Sequence, residues 1–464
     1  MLSAMSKLSW QLEYMYGLER FGIRLGLEAM EEFMRALDRP HEKFKSVHVS
    51  GTNGKGSTAI LTANALQAGG FRVGFYNSPH LIHFNERIRV DGIPISDEDL
   101  SALIEEVQLV AEEREIAPTF FEFTTAIAFL YFARQKVDIA VIEVGMGGDL
   151  DATNVIRPFV SVITNIGYDH THILGKTKHE IARHKSGIFK PGSVAITADT
   201  DPKIVRYLGN VAGECGAPFY RVQDLIRARV RRATLQEQTF RTRGVYNAEF
   251  TMPLLGKHQI TNACTALSVL HSLAAQGFEV ELSRIQQAFR ETHWEGRLMV
   301  LSHDPLVLID GAHNEGGIRS LREFLDDIPN CHGITVRPKV LVLGLKQDKD
   351  IKPVQELIVP LFEEIIVTEG NYQAWPADDL AKLIATRHAK VRAVPNIQQA
   401  LAEAGSVLHE GEMMLVTGSL YMVGDALAAM KVPVAASSGT PPKAGVAEGP
   451  TPVAPVDATK VLGV

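Results

Sequence analysis

Residues 47–70, VHVSGTNGKGSTAILTANALQAGG, decide the fold because a glycine-rich turn separates a strand pattern from a helix pattern. Lys45–Ser50 alternates in polarity, which predicts a short buried strand. Residues 57–66 are rich in alanine and leucine, which predicts a helix, and Gly69 and Gly70 supply a stop signal. A glycine-rich loop between a strand and a helix directs backbone N–H groups and the helix dipole toward an anion.

The loop itself, residues 51–57 or GTNGKGS, has the parts of a phosphate-binding loop but fails the strict pattern. That pattern needs glycine where the chain has Val49, and Ser or Thr where it has Gly56. Lys55 nevertheless adds a mobile positive charge, and Ser57 adds a hydroxyl for a magnesium ion. An ordinary turn would use the same glycines and asparagine. The order of strand, loop, lysine and helix favours phosphate binding.

The composition is that of an ordinary globular protein. The 464 residues allow roughly two or three domains of about 150 residues each. A net charge of -7 argues against a dedicated nucleic-acid binder. Cys215, Cys264 and Cys331 suit a reducing compartment, because three widely spaced cysteines make neither a disulfide framework nor a zinc site. With no signal-peptide pattern and no apolar run of about 18 residues, we expect a cytoplasmic protein that binds neither membranes nor nucleic acid.

Strand and helix patterns alternate along most of the chain, which predicts an α/β protein with mostly parallel sheets. We expect strands in SVHVS, RVGFYN, IAVIEVG and FVSVITNIG. Residues 216–255 are rich in charged and β-branched residues and are interrupted by turn-forming residues, which predicts a small antiparallel insertion. A helical pair should follow near residues 258–275 and 282–289.

A second alternation of strand and helix patterns begins after Arg297. Strands are expected in PLVLIDGAHN, KVLVLGLK, EEIIVTEG and EMMLVTGS. We therefore expect an N-terminal domain at residues 1–296 and a smaller C-terminal domain at residues 297–430. Residues 431–464 are rich in Pro, Ala and Gly and cannot bury enough apolar surface to order, so we expect a disordered tail.

Polar residues follow several predicted strands, and the residues alone leave their roles open. Ser78, in SPHL, lies either in a plain connecting loop or in the pocket of the glycine-rich loop, since strand C-termini share one crevice. Glu143, in VIEVGMGGD, either caps a turn or coordinates a cation beside phosphates, and we favour the cation.

Two further motifs have ordinary structural explanations. The aromatic cluster at residues 118–125, PTFFEFTT, is typical of a helix core, or it forms a slot for a flat heterocycle. His170 and His172 lack zinc-helix spacing, and magnesium prefers oxygen ligands, so the residues alone support a histidine ligand only weakly. Lys185 would by default be a solvated helix residue.

Taken together, twelve motifs resemble the folylpolyglutamate synthase/dihydrofolate synthase family of the Mur-ligase superfamily. In chain order they are LGLE, GTNGKGS, SPHL, FFE, EVGMGGDLDATN, DHTHILG, KSGIFKPG, GKHQITNA, WEGR, IDGAHN, DKD and GSLYMVG. They run from residue 25 to residue 424, so the resemblance covers everything except the tail.

The resemblance implies an N-terminal P-loop ATPase domain with a central mostly parallel sheet and a small antiparallel insertion, followed by a Rossmann-like ligase domain. It also implies an ATP-dependent amide ligase of folate biosynthesis and one-carbon metabolism. ATP would phosphorylate a carboxylate of dihydropteroate or the γ-carboxylate of a folate, and L-glutamate would attack the acyl phosphate. The sequence leaves open which acceptor is used. The implied cofactors are ATP and Mg²⁺, with a monovalent cation also considered, and we expect a monomer.

The resemblance also assigns residues, each by its place in a motif. Nucleotide contacts are Thr52, Asn53, Gly54, Lys55, Gly56, Ser57, Asn262, Arg297, Asp310 and His313. Magnesium ligands are Ser57, Ser78, Glu143 and His170, and the catalytic set is Lys55, His170 and Lys185. Substrate contacts are Arg24, Leu25, Gly26, Thr119, Phe120, Phe121, Glu122, Leu150, Asp151 and Ala152 for the pterin, with Ser419 and Tyr421 for the glutamate or folate tail. Lys185 matches a carbamylated lysine, which must be neutral to take up carbon dioxide.

Three positions depart from the family pattern. Asp149 stands where an arginine is usual, His184 replaces a common glutamate, and the arginine often found near Gln373 is absent. These departures bear on substrate preference more than on the reaction type.

Two alternatives differ in class. Another Mur-type ligase is disfavoured because the 50 residues before Gly51 are too few for the extra α/β domain such ligases carry. A non-catalytic nucleotide-binding module is disfavoured because a protein that only binds nucleotide would not need the full set of Lys55, Ser57, Glu143, His170 and Lys185.

Overall fold

The computed structural model describes residues 7–22, 26–331 and 335–432. Its strands form three sheets. The first contains β1 Lys45–Ser50, β2 Val73–Tyr76, β3 Ile88–Val90, β4 Ile93–Pro94, β5 Ile139–Glu143, β6 Val160–Ile163, β7 Val194–Thr197 and β8 Phe219–Arg221. The second contains β9 Ile226–Ala233, β10 Gln238–Gly244 and β11 Glu249–Met252. The third contains β12 Met299–His303, β13 Leu306–Asp310, β14 Arg337–Leu343, β15 Glu364–Val367, β16 Val391–Ala393 and β17 Glu412–Thr417.

The helices connect these strands and cover the sheet faces. In chain order they are α1 Lys7–Gly17, α2 Glu28–Ala36, α3 Lys55–Ala68, α4 Asp97–Glu113, α5 Phe120–Arg134, α6 Thr171–Leu174, α7 Lys178–Ser186, α8 Pro202–Glu214, α9 Val222–Leu225, α10 Lys257–Ala274, α11 Leu282–Glu291, α12 Glu315–Cys331, α13 Lys352–Leu357, α14 Ala377–Ala385, α15 Ile397–Ser406 and α16 Leu420–Ala429. Short 3₁₀ turns lie at Leu18–Phe21, Pro40–Glu42, Phe84–Arg87, Ala152–Val155 and Val359–Leu361.

The first sheet has the strand order β4-β3-β2-β5-β1-β6-β7-β8. Within this sheet, the strands β2, β5, β1, β6, β7 and β8 are parallel to one another. Its central strands are apolar on both faces because helices cover both. In β5, Ile139 and Val141 join a core with α3 and α10, while Ala140 and Ile142 join a second core with α5. The alternation of the strand therefore divides one apolar run between two helical layers.

The third sheet has the order β12-β13-β17-β14-β15-β16, with only the β12–β13 pair antiparallel among its ladders. In β14, Leu341 and Leu343 pack on one side, while Val340 and Val342 pack on the other. This second α/β layer arrangement confirms the expected fold class, and the antiparallel insertion is present as β9, β10 and β11.

Some elements differ from the sequence interpretation. Residues Phe219–Arg221, expected in the insertion, extend the first sheet as β8, parallel to β7. The antiparallel edge of β3 and β4 and the short strands β7, β12 and β16 were not expected, because two to five residues carry little periodicity. The expected helical pair is present as α10 and α11.

The domain boundary near residue 296 stays a prediction, and residues 433–464 of the expected tail lie outside the described residues. At the end of the described residues, Val432 donates its N–H to the carbonyl of Leu427 and packs on the core beside α16. Within the described ranges, no helix combines the length and apolar character needed to cross a bilayer.

Candidate active site

A cavity of about 1120 Å³ lies where the carboxyl ends of the first and third sheets face each other. Parallel α/β sheets bind ligands at this edge. Every residue of the expected site that the structure describes, from Gly26 to Tyr421, lines this one cavity. Arg24 and Leu25 lie outside the described residues. The structure thus brings the scattered motifs together, while the role of each residue stays a prediction.

The glycine-rich loop can form only because two of its positions lack a side chain. Gly51 and Gly54 have φ values of 145° and 83°. A Cβ at Gly51 would lie 1.8 Å from Oγ1 of Thr164, and one at Gly54 would lie 2.3 Å from Oδ1 of Asn262. Lys55 then begins α3, so the loop ends at a helix N-terminus, as phosphate binding requires.

The Lys55 side chain curls back over this loop. Its Nζ donates to the carbonyls of Gly51 at 3.2 Å and Thr52 at 3.4 Å, and it lies 4.0 Å from Oε1 of Glu143. Asn53 is also held, because its N–H donates to Oδ1 of Asn165. The lysine is therefore positioned at the mouth of the loop with Glu143 as its nearest anion.

Three charged side chains, those of Glu143, Arg297 and Asp310, connect the two sheets beside this loop. Burial raises the pKa of the Glu143 carboxyl, and the charges of Lys55 and Arg297 oppose that effect. Burial lowers the pKa of Arg297, and Asp310 and Glu143 oppose it. The Asp310 carboxylate accepts from the N–H groups of Leu298 and Ala312 at 2.9 Å each. Arg297 therefore lies between an acid of the first sheet and an acid of the third.

Lys185 corrects the default interpretation of a solvated helix residue. The residue is 5% exposed, and its Nζ donates to the carbonyl of Gly51 at 2.8 Å. Burial lowers the pKa of this amine to about 7, and the charge of Lys55 adds to the effect. A buried lysine amine of which a substantial fraction is neutral near pH 7 fits the chemistry of carbamylation.

His170 is the N-cap residue directly before the short helix α6 and has a positive φ of 48°. Burial lowers the pKa of its imidazole to about 4. A neutral imidazole can ligate a metal through nitrogen. The ring contacts its neighbour Asp169, with Nε2 3.8 Å from Oδ1.

The cavity contains side chains that could help to hold a divalent metal ion. In the described ranges, no three His, Cys, Asp or Glu side chains converge as a metal site. Ser57, Ser78 and Glu143 offer oxygen ligands along one wall of the cavity, which suits magnesium shared with phosphate oxygens. The Ser78 N–H also donates to Glu143, which positions that carboxylate. The residues fit a magnesium–nucleotide complex better than an all-protein metal cage.

The sequence analysis assigned no role to a polar network that joins the two domains. Asp169 accepts from Nζ of Lys349 at 2.6 Å and from Nδ2 of Asn314 at 2.9 Å. Asn314 and Asn53 exchange two side-chain hydrogen bonds at 3.0 and 3.1 Å. Burial raises the pKa of Asp169, but hydrogen bonding with His313 and the charges of His170 and Lys349 outweigh it and lower the pKa. Asp169, Asn314 and Lys349 lie in the motifs DHTHILG, IDGAHN and DKD, so these motifs could have identified them.

The aromatic cluster serves both core and cavity. Phe123 is fully buried, whereas Phe120 and Phe121 are half-buried and line the cavity. Phe120 stacks on Tyr16 with ring centroids 5.6 Å apart, and Phe121 lies against Gly145. Both rings are therefore open to contact with a ligand in the cavity.

Glu122 and Asp151, two residues expected to contact the substrate, use their carboxylates in local hydrogen bonds that hold the backbone. Glu122 accepts from the N–H and hydroxyl of Thr119 at 2.7 and 2.8 Å, in a capping box that begins α5. Asp151 accepts from the N–H groups of Met146 and Thr153 at 2.8 and 3.0 Å. Substrate contact by these residues remains a prediction.

The departures Asp149 and His184 contact each other. Nδ1 of His184 lies 2.9 Å from Oδ2 of Asp149, and the Asp149 N–H donates to the His184 carbonyl at 2.9 Å. The pair holds the loop after β5 against the end of α7, next to Lys185. The sequence identified the two residues separately but not the hydrogen bond between their side chains.

A second group of cavity residues also received no role from the sequence. Arg87, Lys346 and Tyr372 line the cavity near Tyr421. The Tyr372 and Tyr421 rings stack with centroids 4.4 Å apart, and Nζ of Lys346 lies 4.9 Å from the first centroid and 5.7 Å from the second. Arg87 belongs to FNERIRVDG, a stretch that was noticed only as a continuation of the SPHL loop.

Comparison with known proteins identifies two family models. The Mur ligase middle domain matches residues 49–270. The Mur ligase, glutamate ligase domain matches residues 296–420.

The chain is also similar to proteins along nearly its whole length. It is 34% identical over 424 residues to the dihydrofolate synthase/folylpolyglutamate synthase of Bacillus subtilis (strain 168), covering 89% of this chain and 96% of that protein. It resembles the Mycobacterium tuberculosis folylpolyglutamate synthase complexed with ADP and AMPPCP, with a TM-score of 0.82, 30% identity, and coverage of 91% and 98% of the two chains. It also resembles the bifunctional Yersinia pestis enzyme complexed with AMPPNP and a Mn ion, with a TM-score of 0.78, 29% identity, and coverage of 93% and 100%.

Proposed function

The chain belongs to the folylpolyglutamate synthase/dihydrofolate synthase family of the Mur ligases, and we propose that it joins L-glutamate to dihydropteroate, to the γ-carboxylate of folates, or to both. The reaction is an ATP-dependent amide ligation. ATP phosphorylates the acceptor carboxylate, the glutamate amine attacks the acyl phosphate, and phosphate leaves; ADP is the other product. Because the similar proteins are folate ligases, this function is favoured over another Mur-type ligase or a non-catalytic module.

One observation carries the proposal. The glycine-rich loop with Lys55, the buried amine of Lys185 and the Arg297–Asp310 pair all line a single cavity between the two α/β layers. A phosphate site and an acceptor site must face each other for transfer to a carboxylate. Phosphoryl transfer depends mainly on positioning and on neutralising charge. The cavity has the residues for both.

The nucleotide end uses residues of both sheets. The backbone amides of the glycine-rich loop and the Lys55 ammonium hold the terminal phosphates, while Asn262 and Arg297 contact the nucleotide beside them. Asp310 and His313 approach from the third sheet. Residues 1–296 would thus act as the ATP-binding domain and residues 297–430 as the ligase domain.

Ser57, Ser78, Glu143 and His170 are proposed to hold magnesium beside the phosphates. When bound, the ion supplies positive charge that neutralises the transferring phosphoryl group. Glu143 suits this role because the Ser78 N–H and Lys55 fix its carboxylate. A monovalent cation is a further hypothesis, for which no residue of the described chain gives a specific argument.

Lys185 is proposed to act as a carbamate. Its neutral amine attacks carbon dioxide to form a nitrogen–carbon bond, and the resulting carbamic acid loses a proton to solvent. The carbamate carries a charge of about −1, which is favourable beside a divalent ion. The low pKa of the buried amine supports the first step.

The acceptor and amino acid would occupy the remaining length of the cavity. Gly26, Thr119, Phe120, Phe121 and Glu122 are proposed to form the pterin side, together with the loop of Leu150, Asp151 and Ala152. Ser419 and Tyr421, at the start of α16, would contact the glutamate or folate tail. The side chain of Ser419 caps α16, which fixes this end of the helix in the cavity wall.

Product analysis tests the proposed function. Purified protein, ATP, magnesium and L-glutamate are incubated separately with dihydropteroate and with tetrahydrofolate, and products are identified by mass spectrometry. We expect one glutamyl unit added per ADP released with at least one acceptor. ATP hydrolysis without glutamylated product from either acceptor would contradict the proposal.

A further inference from the structure

The small antiparallel sheet of β9, β10 and β11 carries a dense patch of positive charge. Residues 226–244 contain six arginines and one glutamate, a net charge of +5, in a chain whose net charge is −7. These arginines, which we call the arginine patch, are Arg227, Arg229, Arg231, Arg232, Arg241 and Arg243. All six are exposed, and they lie outside the lining of the large cavity. In the described ranges none of them has a carboxylate within 4.0 Å, and the nearest ion pair in sequence is that of Arg221 with Asp224.

The register of the sheet places like charges directly opposite each other. Arg227 pairs with Arg243, and Arg229 pairs with Arg241, across the β9–β10 ladder. Directly opposite residues lie on one face with their Cβ atoms about 5 Å apart, so like charges at such positions are destabilising. Among the ladders that the structure describes, Glu249 opposite Arg241 is the one acid at a paired position of this sheet. A face that holds four arginines against their repulsion is complementary to a row of anions.

The strand β9 is also an edge of this sheet. The strand order is β11-β10-β9, so β9 has β10 on one side and, within the described residues, no strand on the other. Six consecutive residues of β9, 227–232, are exposed, and Val230 among them is 39% exposed. An edge strand presents unpaired main-chain N–H and C=O groups, and an extended peptide can add to them as a further strand.

Charge on an edge strand can also serve only to prevent unwanted strand pairing. That purpose requires charges on the edge strand alone, whereas Arg241 and Arg243 belong to the central strand β10. Lysine is the residue that such edges favour. Arginine instead presents a planar group that binds a carboxylate through two hydrogen bonds. The arginine patch therefore suits recognition of carboxylates better than protection of an edge.

The geometry of the patch fits a peptide better than a nucleic acid. Residues two apart in a strand are separated by about 6.6–6.8 Å, and this is also the spacing of alternate side chains in an extended peptide. Proteins that bind single-stranded nucleic acid stack its bases on aromatic side chains. The aromatic rings of this sheet, Phe240 and Phe250, are buried and stack on each other on the opposite face.

Two occupants from this chain itself fit poorly. Pairing β9 of one copy with β9 of a second copy would set arginines beside arginines. Residues 433–464 contain two lysines, two acidic residues and six prolines, so their charges cancel and their prolines oppose strand pairing. The complementary partner is therefore an acidic segment of a different protein.

We propose that β9 and the arginine patch form a docking surface for an extended acidic segment of another protein. The segment adds to β9 as a further strand through main-chain hydrogen bonds. Its carboxylates, at alternate positions, contact Arg227 and Arg229 on the face that these arginines share. The interaction lies outside the large cavity and does not depend on the proposed ligase reaction.

Peptide binding to the full chain tests this surface. The probe is a fluorescein-labelled peptide of alternating Glu and Thr that is long enough to span the eight residues of β9, and binding is followed by fluorescence anisotropy. Replacement of both Arg227→Gln and Arg229→Gln should weaken binding about 3- to 30-fold, because each exposed charge contact is individually weak. Added salt should reduce this difference by screening the charges. A peptide with proline in place of threonine should bind the wild type more weakly, because proline has no N–H to donate to β9.

The double variant Arg114→Gln with Arg387→Gln is the matched control. Both arginines are exposed and lie just after α4 and α14, so this variant loses the same charge from other elements. Its affinity for the peptide should stay near the wild-type value. The variant with Arg227→Gln and Arg229→Gln should keep or raise the melting temperature, because it removes like-charge pairs. Weaker binding without lost stability separates recognition from a structural role.

Four outcomes would overturn the inference. Equal loss of affinity in the two double variants would show attraction by net charge in place of a defined surface. Equal binding of the proline and threonine peptides would exclude strand addition. Tighter binding of a labelled oligouridylate, or of phosphatidylserine vesicles, would assign the patch to nucleic acid or to a membrane. Absence of binding to every probe would show that the arginines only protect the edge strand.

Discussion

Substitution of Lys185 tests the buried amine on which the proposed carbamate depends. With a pKa of about 7, roughly three quarters of this amine is neutral at pH 7.5, against about one in a thousand for a lysine at 10.5. The buried site therefore raises the reactive fraction by almost three orders of magnitude. We expect Lys185→Ala to lose most ligase activity, and a short carboxylic acid that occupies the vacated space should restore part of it.

Lys185→Arg separates a carbamate from a simple cation. A guanidinium keeps the positive charge but stays protonated and cannot be carbamylated, so this variant should also lose most activity. Initial rates are measured for the wild type and both variants, with and without bicarbonate and added acid. Bicarbonate should activate only the wild type. A near-normal Arg variant would show that Lys185 acts as a cation, and the carbamate hypothesis would fail.

The same amine predicts how stability depends on pH. Because its pKa is lower in the folded chain, the unfolded chain binds more protons between about pH 7 and 10.5. The free energy of unfolding should therefore rise with pH through this window, and the penalty for burying the charge is fully present below it. Thermal melts without nucleotide, metal or bicarbonate should show this rise in the wild type and a weaker one in Lys185→Met. An identical pH dependence in both would refute the assigned burial.

Three further predictions follow from other parts of the chain. Lys55→Ala should reduce turnover by about 100- to 1000-fold with the melting temperature nearly preserved, and undiminished activity in a folded variant would refute the phosphate-binding loop. Asp149→Ala and His184→Ala should each destabilise the fold, with a coupling free energy of about 1 kcal/mol in a double-mutant cycle of thermal or urea unfolding; strictly additive effects would show that the pair contributes nothing. Removal of residues 433–464 should leave activity and melting temperature nearly unchanged, whereas a large loss of either would show that this segment packs on the protein.

The elements that the sequence predicted are those with long periodic patterns. The strand at Lys45–Ser50, the loop and α3 were visible because polarity alternates, glycines cluster and a helix pattern follows within 24 residues. The alternation of strand and helix patterns along the rest of the chain then predicted the α/β fold. Strands such as β8 and β16, with three residues each, gave too little pattern, and tertiary pairing alone defines them.

Site residues were predicted where the reactive groups lie within a single motif. Contacts were missed where the two partner residues are far apart in the sequence. Lys185 looked like a solvated residue because its acceptor, the Gly51 carbonyl, lies 134 positions away. Asp149 and His184 are 35 positions apart, so one sequence could show two unusual residues but not the hydrogen bond between them. The Asp169–Lys349 contact spans 180 positions and two domains. Such contacts depend on how the sheets face each other, which local patterns do not encode.

Isotope transfer most directly tests the claim that this chain is a ligase that activates its acceptor as an acyl phosphate. The acceptor is labelled with oxygen-18 in its reacting carboxylate, and the reaction is run with ATP, magnesium and L-glutamate. Phosphate is then recovered and its mass is measured. The account predicts that each amide formed transfers one labelled oxygen from the carboxylate to inorganic phosphate. Unlabelled phosphate, or label recovered in AMP, would contradict it.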